Sequence, residues 1–556
     1  MEKNIAVIEG DGIGPEIVAE AIKVLDTVAK IRRHTLHYRF ADMGGAAYDK
    51  ATAGMSEEEK EKIDGWNDED KRKLTLPQEA LDTMDWARDS RGAVLFGSVG
   101  RADLPKRTAE LALLGMRKRY GVVNNRPFII DPILAHNSIL FREPVEVFGF
   151  EIISPETSLL NGTTMTSYNS SQTEKKISRK DIEALITDAF EKAKETGKQI
   201  MCATKYNVLV SEKMISDVFE EVAKRYEGQV TLNPATNWQS NPDAKLKFIQ
   251  RYKYCGTTAL DIIETGKVPT GQLIIDNAGM QIAKAPHNYA NTIVIADAMF
   301  GDFLQAIIDV VSGSKPVNKK ALDEIKEKGI KRTFIRELCG GLYFGERGVI
   351  ANEHAYDTMD YDRPTIEDLA SVANRVNSQL GLDTIDSLEI DGVPTFKFWA
   401  TVLNDDAERK GYNVRHLNVK EGVETLLTDP ASLGTVIASN MMGDIYTDLA
   451  AAVVGKSLGI MPSSAVNSDG FGIYEQIAGS APDIAGKNEA NPIAEIRSAA
   501  MMLEDFGDKE GAQMIYKAIG KAIGKARTPD IWEQGYAKVS TQEMGDLIVQ
   551  YIKEAA

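Results

Sequence analysis

The sequence predicts an α/β protein with more than one domain. With 556 residues the chain exceeds the range of a single hydrophobic core. Its first residues follow the order strand, glycine turn, helix, which is typical of an α/β unit. A strand-then-helix string near its middle, 293–302, is echoed at 436–448. A hydrophobic content of 43% and a charged content of 26% are ordinary for a globular protein.

The N-terminal unit begins with a short buried strand at Asn4–Glu9 (N-I-A-V-I-E). The sequence G-D-G-I-G-P closes it, and Pro15 suits the first turn of a helix. Apolar residues then recur at helical spacing, from Ile17 to Val28. The glycines do not form a G-x-G-x-x-G fingerprint, so a ligand-binding turn and a plain tight turn both remain open.

The next segments contain two candidate anion-binding arginines. Met55–Lys73 is charge-dense and predicts a surface insertion, and Gly92–Gly100 predicts a second buried strand that ends in a glycine turn. Arg117, in L-L-G-M-R-K-R-Y, and Arg126, in N-N-R-P, could clamp a carboxylate with two parallel hydrogen bonds. Ordinary surface arginines are the alternative.

A second strand and helix pattern carries a lysine and an aspartate at strand ends. Ser178–Lys198 predicts an amphipathic helix and Gln199–Ala203 a strand. Lys205 follows that strand, either as a solvated cap or as a functional amine. Asp276 ends a further strand, after the weakly patterned connection 234–271.

The polar stretch Lys315–Arg332, broken by proline and glycine, is the best candidate for a module boundary. Beyond it, Asp444 and Asp448 lie four residues apart and share one helix face. Paired carboxylates suit Mg²⁺ or Mn²⁺, although a solvated helix face is the alternative. In the similar string 293–302 and the residues that follow, Ala298 replaces Asn440 and Ala306 replaces Asp448. The string at 436–448 therefore keeps the polar residues expected of an active site, and the string at 293–302 has lost them.

Charge and cysteine content limit the partners. The net charge of −17 argues against nucleic acid and anionic membranes. The three cysteines lie far apart, which favours a reducing compartment. Neither a signal-peptide pattern nor a membrane-spanning apolar run is evident, so we expect a cytoplasmic protein.

Six motifs, in order along the chain, resemble the metal-dependent decarboxylating β-hydroxyacid dehydrogenases. They are G-D-G-I-G-P-E, G-S-V-G, L-L-G-M-R-K with N-R-P, R-E-L-C-G-G-L-Y-F-G, M-G-D-I-Y-T-D and G-S-A-P-D-I-A-G-K-N-E-A-N-P. The chain is most similar to the 3-isopropylmalate dehydrogenases of this isocitrate/isopropylmalate dehydrogenase family. Between residues 140 and 290 the similarity is weaker, and T-K-Y-N-V-L and I-I-D-N-A-G-M-Q carry it.

The resemblance implies a large α/β domain from both chain ends, residues 1–122 and 456–556, that binds NAD and substrate. It implies a smaller α/β domain between them, which this chain carries twice, at 123–315 and 316–455. The implied reaction is hydride transfer from a 2-hydroxy acid to NAD⁺, followed by loss of the β-carboxylate as CO₂. The implied partner is a small dicarboxylate or tricarboxylate.

The resemblance also assigns residues. Lys205 and Tyr343 match the catalytic lysine and tyrosine, and Asp276, Asp444 and Asp448 match the ligands of Mg²⁺ or Mn²⁺. The implied substrate-binding residues are Arg117, Arg126, Arg336, Leu113 and Leu114. The implied NAD-binding residues are Glu110, Asn440, Glu475, Gly479, Ser480, Ala481, Pro482, Asp483, Ile484 and Asn491.

Substrate and cofactor preferences rest on two short segments. Leu113 and Leu114 occupy the position where isopropylmalate enzymes present apolar residues, although a plain helix core remains an alternative. Asp483 would accept the ribose hydroxyls and repel a 2′-phosphate, which favours NAD over NADP. Ala478 replaces a histidine that the family commonly has there, so adenine stacking would be weaker.

The motif order suggests an internal pseudo-dimer. In the family, the lysine and one metal aspartate come from the partner subunit, whereas here Lys205 and Asp276 precede Arg336 on the same chain. We expect one site per chain, built from both small-domain copies, with the second site erased, in a monomer or a further homo-oligomer. The alternatives are an isocitrate or homoisocitrate dehydrogenase, or a catalytically silent regulatory homologue.

Overall fold

The computed structural model describes most of the chain. The described residues are 1–101, 104–105, 108–135, 140, 144–154, 164–206, 208–232, 272–273, 282–283, 286–454, 457–467 and 469–556. They form two compact units. The first unit contains Met1–Leu134 and Gly455–Ala556, and the second contains most of the residues between them.

The regular elements follow in chain order. The first ten are β1 (Glu2–Gly10), α1 (Gly14–Arg32), β2 (Thr35–Phe40), α2 (Gly45–Thr52), α3 (Glu57–Lys62), α4 (Asp68–Thr75), α5 (Gln78–Asp89), β3 (Ala93–Ser98), α6 (Thr108–Tyr120) and β4 (Val123–Ile130). The next are β5 (Glu151–Ile153), β6 (Thr164–Thr166), β7 (Ser170–Ser178), α7 (Arg179–Thr196), β8 (Gln199–Ala203), α8 (Val210–Arg225), β9 (Gln272–Leu273), β10 (Thr292–Ala296), α9 (Ala298–Val311) and α10 (Lys319–Lys328).

The rest of the second unit contains β11 (Ile330–Arg336), β12 (Arg347–Ile350), β13 (His354–Asp362), α11 (Arg363–Leu380), β14 (Thr384–Glu389), α12 (Pro394–Lys410), β15 (Asn413–Asn418), α13 (Val419–Thr428), β16 (Thr435–Ala438) and α14 (Asn440–Val454). The first unit then resumes with β17 (Pro462–Val466), β18 (Gly472–Gln476), α15 (Ile493–Asp505), α16 (Lys509–Ile523), β19 (Ala526–Arg527), β20 (Ala537–Lys538) and α17 (Thr541–Ala555).

The first unit is a mixed sheet covered by helices. Its strands lie in the order β4-β17-β18-β3-β1-β2, and β1, β2, β3 and β18 pair in parallel. Helix α1 begins with Pro15 in its first turn and buries Ile17, Val24 and Val28, because these residues recur on one face. The predicted strands at 4–9 and 92–100 and the first helix are confirmed.

The segment Met55–Lys73 is more than a surface insertion. It contains α3 and most of α4, and most of its side chains are exposed, as expected. Ile63 is nevertheless buried in a small cluster with Tyr48, Leu74 and Leu104. The insertion therefore adds a satellite core to the first unit.

The second unit contains the same four-stranded parallel arrangement twice. One sheet has the strand order β5-β10-β8-β9, and the equivalent order in the second half is β11-β16-β14-β15. We call residues 151–311 the first copy and residues 330–454 the second copy. Helices α7 and α11 are 18 residues each, and each follows a nine-residue strand, β7 or β13. The structure therefore displays the internal duplication that the sequence suggests.

The two copies join through an antiparallel sheet with the order β12-β13-β7-β6. Strands β7 and β13 pair along their whole length, from Ser170 opposite Asp362 to Ser178 opposite His354. The central residues of the two strands, Glu174 and Thr358, lie opposite each other. A pseudo-twofold axis therefore passes through this pair, as at the interface of a symmetric dimer.

Surface ion pairs follow the same pseudo-symmetry. In the first copy Arg179 contacts Glu221, and Arg225 contacts Glu183. In the second copy, four residues at the equivalent positions form the equivalent pairs, Arg363 with Asp405 and Arg409 with Glu367. The duplication thus extends from the strand order to individual side chains.

No helix among the described residues is both long enough and apolar enough to cross a membrane.

Candidate functional site

The carboxylate of Asp444, on α14 of the second copy, contacts three side chains of the predicted site. Lys205 Nζ lies 3.0 Å from its Oδ2. The Tyr343 hydroxyl donates a hydrogen bond to the same oxygen at 3.0 Å, and Arg336 Nη1 donates to Oδ1 at 2.5 Å. An amine, a phenol and a guanidinium therefore surround one acid within a single chain.

These side chains come from both copies. Lys205 lies just past β8 of the first copy and is 2% exposed. Arg336 ends β11, and Tyr343 lies in a short 3₁₀ turn, both in the second copy. The carboxyl end of a parallel strand is the usual place for functional groups in α/β folds, because loops and helix N-termini converge there.

Asn440 holds the arginine from the start of α14. Its side-chain oxygen accepts hydrogen bonds from Arg336 Nε at 3.2 Å and Nη2 at 2.8 Å, and its Nδ2 donates to the carbonyl of Gly340. Asp448, one turn beyond Asp444 on the same helix, is 4% exposed. Arg336 is thus held by Asn440 and Asp444, both on α14, which leaves its side chain little rotamer freedom.

Glu337 and Tyr361 form a buried support that no sequence motif predicted. Glu337 accepts hydrogen bonds from the backbone N–H groups of Cys339 and Gly340. Burial raises the pKa of its carboxyl to about 6, against the effect of these donors and of Arg336. The Tyr361 hydroxyl accepts from the backbone N–H of Asn440 and lies in hydrogen-bond contact with Glu337. This network joins the glycine turn before Tyr343 to the start of α14.

The first unit brings a second set of predicted residues together. The turn G-D-G-I-G lies against the G-S-A-P-D loop, because the backbone N–H of Ile13 donates to the carbonyl of Ser480 at 2.8 Å. Gly12 has a φ of +61°, and a Cβ there would lie 1.8 Å from that carbonyl. Only glycine allows this close approach.

Asp11 organises the same turn, although no pattern in the sequence predicted a role for it. It is buried and accepts hydrogen bonds from the backbone N–H groups of Gly45 and Gly100. Burial raises the pKa of Asp11, while these donors oppose the rise. A buried carboxylate in G-D-G-I-G-P thus joins three loops at one end of the sheet.

The remaining predicted residues of the first unit differ in their burial and in their hydrogen-bond partners. Arg117 Nη2 donates to Glu475 Oε1 at 3.1 Å, while Arg126 lies buried on β4. Leu113 and Leu114 are partly exposed on α6. Asn491 donates to Asp530 at 3.0 Å and accepts from the backbone of Ile493. The loop residues Gly479, Ala481, Pro482 and Ile484 are partly exposed, whereas Asp483 is exposed.

Some predicted positions lie outside the described residues. Asp276 is one of them, as is the whole of 234–271, and the side chain of Glu110 is another. Among the described residues no group of three or more His, Cys, Asp or Glu side chains is arranged to hold a metal. Asp444 and Asp448 are thus the described members of the predicted ligand set.

Strand register corrects one sequence alignment. A comparison of the two copies from sequence alone places Lys205 opposite Trp399, but Trp399 is buried in α12, where its Nε1 donates to Ser387. Ala203 pairs with Ala296 in the first copy, and Leu388 pairs with Ala438 in the second. Two residues beyond each of these positions lie Lys205 and Ile390, so Ile390 is the counterpart of the lysine.

The family model described as isocitrate/isopropylmalate dehydrogenase matches residues 4–67, 65–317 and 315–548. The chain belongs to the isocitrate/isopropylmalate dehydrogenase family. This membership confirms the resemblance and the predicted class of decarboxylating dehydrogenase, and the succession of matches fits the duplication that the fold displays.

A relative in sequence agrees with the family, and two solved structures resemble the chain in fold. The chain is 37% identical over 251 residues to a 3-isopropylmalate dehydrogenase of Clostridium acetobutylicum, which is 44% of this chain and 68% of that protein. Its fold resembles isocitrate dehydrogenase from Methylococcus capsulatus, with a TM-score of 0.50, 16% identity and 99% of both chains covered. It also resembles a β-decarboxylating dehydrogenase from Thermococcus kodakarensis, with a TM-score of 0.51, 18% identity, and 99% and 96% covered.

Proposed function

We propose that the chain is an NAD- and divalent-metal-dependent dehydrogenase that oxidatively decarboxylates a 2-hydroxy-3-carboxy acid, with 3-isopropylmalate as the preferred substrate. The observation that carries the proposal is the meeting of Lys205, Tyr343 and Arg336 at Asp444. An acid-base pair, a carboxylate clamp and a metal-type ligand are the groups that this reaction requires.

Each side chain has a defined role in the proposal. Lys205 accepts the proton of the substrate hydroxyl, Arg336 holds the carboxylate that stays, and Tyr343 returns a proton to the enol after CO₂ has left. The positions of the amine and the phenol on one carboxylate suit this order, because both then lie near the same substrate carbons.

The donor chemistry fits a hard divalent cation and NAD. Asp444 and Asp448 would hold Mg²⁺ or Mn²⁺ from one face of α14, with Asp276 as the third proposed ligand. The loop 479–484, with Asp483 toward the ribose, would hold NAD. When bound, the ion polarises the hydroxyl oxygen and NAD⁺ accepts the hydride.

Substrate preference rests on α6. Leu113 and Leu114 are partly exposed on this helix, and Arg117 lies one turn further on. Burying an isopropyl group against the two leucines would contribute roughly 2 kcal/mol. This contribution favours an alkyl malate over the more polar isocitrate.

An NADH absorbance assay tests the proposal. The purified chain is given NAD⁺, Mn²⁺ and, in turn, 3-isopropylmalate, isocitrate, homoisocitrate and tartrate. We expect fastest turnover of 3-isopropylmalate, and its loss with EDTA or in Lys205→Ala. Turnover of isocitrate or homoisocitrate alone would overturn the substrate assignment, and no turnover of any compound would support a silent homologue.

Mixing tests whether one chain builds the site. Lys205→Ala and Tyr343→Phe variants are each purified and then combined, because a shared site would be restored by exchange between chains. We expect the mixture to show no more activity than the two variants measured separately. Restored activity would show that chains exchange site residues.

A further inference from the structure

The position of Lys205 depends on a tight turn of the first copy. Its backbone carbonyl accepts hydrogen bonds from the N–H groups of Val208 at 3.2 Å and Leu209 at 3.1 Å. Helix α8 begins directly afterwards at Val210. Tyr343 belongs to the second copy, so the distance between the two groups is set by whatever joins this turn to the segment of Tyr343.

Arg347, on β12 of the second copy, makes that connection. Its Nη1 donates to the carbonyl of Val208 at 2.6 Å, and its Nη2 donates to the carbonyl of Leu342 at 2.6 Å. Leu342 directly precedes Tyr343. The guanidinium is planar and therefore holds both donors in a fixed geometry. One donor binds the turn that follows Lys205, and the other binds the residue that precedes Tyr343.

Asp357, opposite Arg347 in the β12–β13 pairing, holds the following residues. It is fully buried and accepts hydrogen bonds from the backbone N–H groups of Val210 at 3.1 Å and Ser211 at 2.7 Å, and from the Ser211 hydroxyl at 2.7 Å. The carboxylate therefore caps the N-terminus of α8. The β12–β13 hairpin of the second copy thus binds residues 208–211 of the first copy at both ends. Arg347 binds Val208, and Asp357 binds the backbone of residues 210 and 211.

At the pseudo-symmetric position, uncharged side chains connect the two copies. Charged side chains are therefore not needed to hold the copies together. There Thr173 takes the place of Asp357, and Thr395, at the start of α12, takes the place of Ser211. The two threonine hydroxyls lie 2.6 Å apart, and Thr173 accepts from the backbone N–H of Thr395 at 3.2 Å. The charged contacts of Arg347 and Asp357 lie in the half of the pseudo-dimer that contains Lys205 and Tyr343.

We propose that Arg347 is a positioning residue that sets the distance between the Lys205 amine and the Tyr343 phenol through their backbones. This inference rests on the proposed function, since it assigns a role to the geometry of that site. Arg347 acts without touching substrate, and its removal leaves the two groups in place on copies that can shift relative to each other.

The test compares Arg347→Gln, which loses the two-armed donor, with Arg347→Lys, which keeps the charge and one donor. The matched control is Arg363→Gln, because Arg363 also donates to a backbone carbonyl, that of Tyr168, but contacts neither site segment. The measurements are kcat, KM, the pH profile of kcat, and hydrogen exchange of the peptide covering 204–211 without substrate.

We expect kcat of Arg347→Gln to fall about 10- to 100-fold, with KM within about threefold, since small misplacements of reacting groups act on the chemical step. The pH profile shifts, exchange at 204–211 becomes faster, and Arg347→Lys gives intermediate values. Arg363→Gln stays within about twofold of wild type in every readout, because it lies outside the site.

Three results would overturn the inference. They are a wild-type kcat, pH profile and exchange rate in Arg347→Gln; an equal loss in Arg363→Gln; or, if Arg347→Gln does not fold, a wild-type pH profile in Arg347→Lys. If the wild-type chain turns over nothing, the proposed function fails, but exchange at 204–211 still decides whether Arg347 fixes the turn.

Discussion

The candidate site and its pseudo-symmetric counterpart have equivalent strand pairings but different side chains. Ile335 pairs with Ile437 and Ile153 pairs with Ile295, so Ser154 occupies the position of Arg336. Isoleucine replaces the lysine at 390, and alanines replace Asn440 and Asp448. The glycines before Asp444 and Asp302 both pack closely against the neighbouring strand. The fold needs the glycine and the strand order, whereas the polar groups can be lost without cost to packing.

The comparison also gives a physical reason for the proposed single site per chain. Once two copies of a small domain lie on one chain, the pseudo-dimer forms whether one site works or two. The polar side chains of the second site then contribute no packing. Their replacement by alanine, serine and isoleucine removes buried polar groups that would need partners.

The sharpest test of the comparison is the aspartate that both halves retain. Asp444→Asn should lower kcat/KM by roughly 100- to 1000-fold, because Lys205 and Arg336 lose the charge that they share and a proposed metal ligand is lost. Asp302→Asn is the matched control and should remain within about twofold, since no described basic group of the site faces it. Equal losses in the two variants, measured by NADH absorbance, would contradict the assignment of one working site.

A second contrast concerns buried charge. Lys175, Glu212 and Asp297 form a buried ion cluster in the first copy, near Asp357, whereas the second copy has Met359, Phe396 and Ser439 at these positions. Burial raises the pKa of Glu212 to about 7, against the attraction of Lys175. The folded protein therefore holds a proton on Glu212 that the unfolded chain releases at lower pH.

The stabilisation from Glu212 is complete below the unfolded pKa, near 4.3, and is lost as the pH rises through about 7. Between pH 5 and 8 the free energy of unfolding should fall by roughly 2 kcal/mol more in wild type than in Glu212→Gln. Urea unfolding at several pH values measures this difference. Parallel curves for the two proteins would show that Glu212 does not titrate in that range.

The two glycines allow a finer comparison. A Cβ at Gly443 would lie 2.6 Å from Arg336 Cγ, whereas at Gly301 the nearest side-chain atoms, of Ile152 and Ser154, lie at 3.0 Å. Gly443→Ala should displace the clamped arginine and raise KM about tenfold, which is about 1.4 kcal/mol of binding. Gly301→Ala should leave KM unchanged, and a similar rise in both variants would argue against a role for Arg336 in binding.

The smallest expected effect is on the repeated surface ion pairs. Glu183→Gln and Glu367→Gln each remove one partner of an exposed arginine, Arg225 or Arg409. Each should lower the free energy of unfolding by less than about 1 kcal/mol, because solvent screens such pairs. Urea midpoints measure both changes. A loss above about 2 kcal/mol in one variant alone would show that the two copies depend on these contacts unequally.

The sequence predicts the local elements and the duplication, because hydrophobic spacing and turn residues determine them. The helix expected at Ser178–Lys198 spans Arg179–Thr196, with the Ser178 side chain as its cap. The partners of Lys205, by contrast, follow from family resemblance and not from any local pattern. The metal ligand set and the division at 315/316 stay predictions.

The supporting residues of the site could not be predicted from residue type. Glu337 and Arg347 act on backbone N–H and carbonyl groups, which every residue has, so only the fold shows which ones they meet. The alignment of Lys205 with Trp399 was wrong for a related reason, since a comparison of sequences does not show strand register. Asp11 could have been noticed, because an acid between glycines after a buried strand favours a loop-bridging role.

The central pairing of Glu174 with Thr358 has a genetic consequence. In an assembly of identical chains, every mutation appears twice, once on each side of the axis, so neither side can change alone. Here the opposing strands are encoded separately, and each can accumulate its own substitutions. One end of the axis is thereby free to drift or to acquire a new use while selection preserves the other.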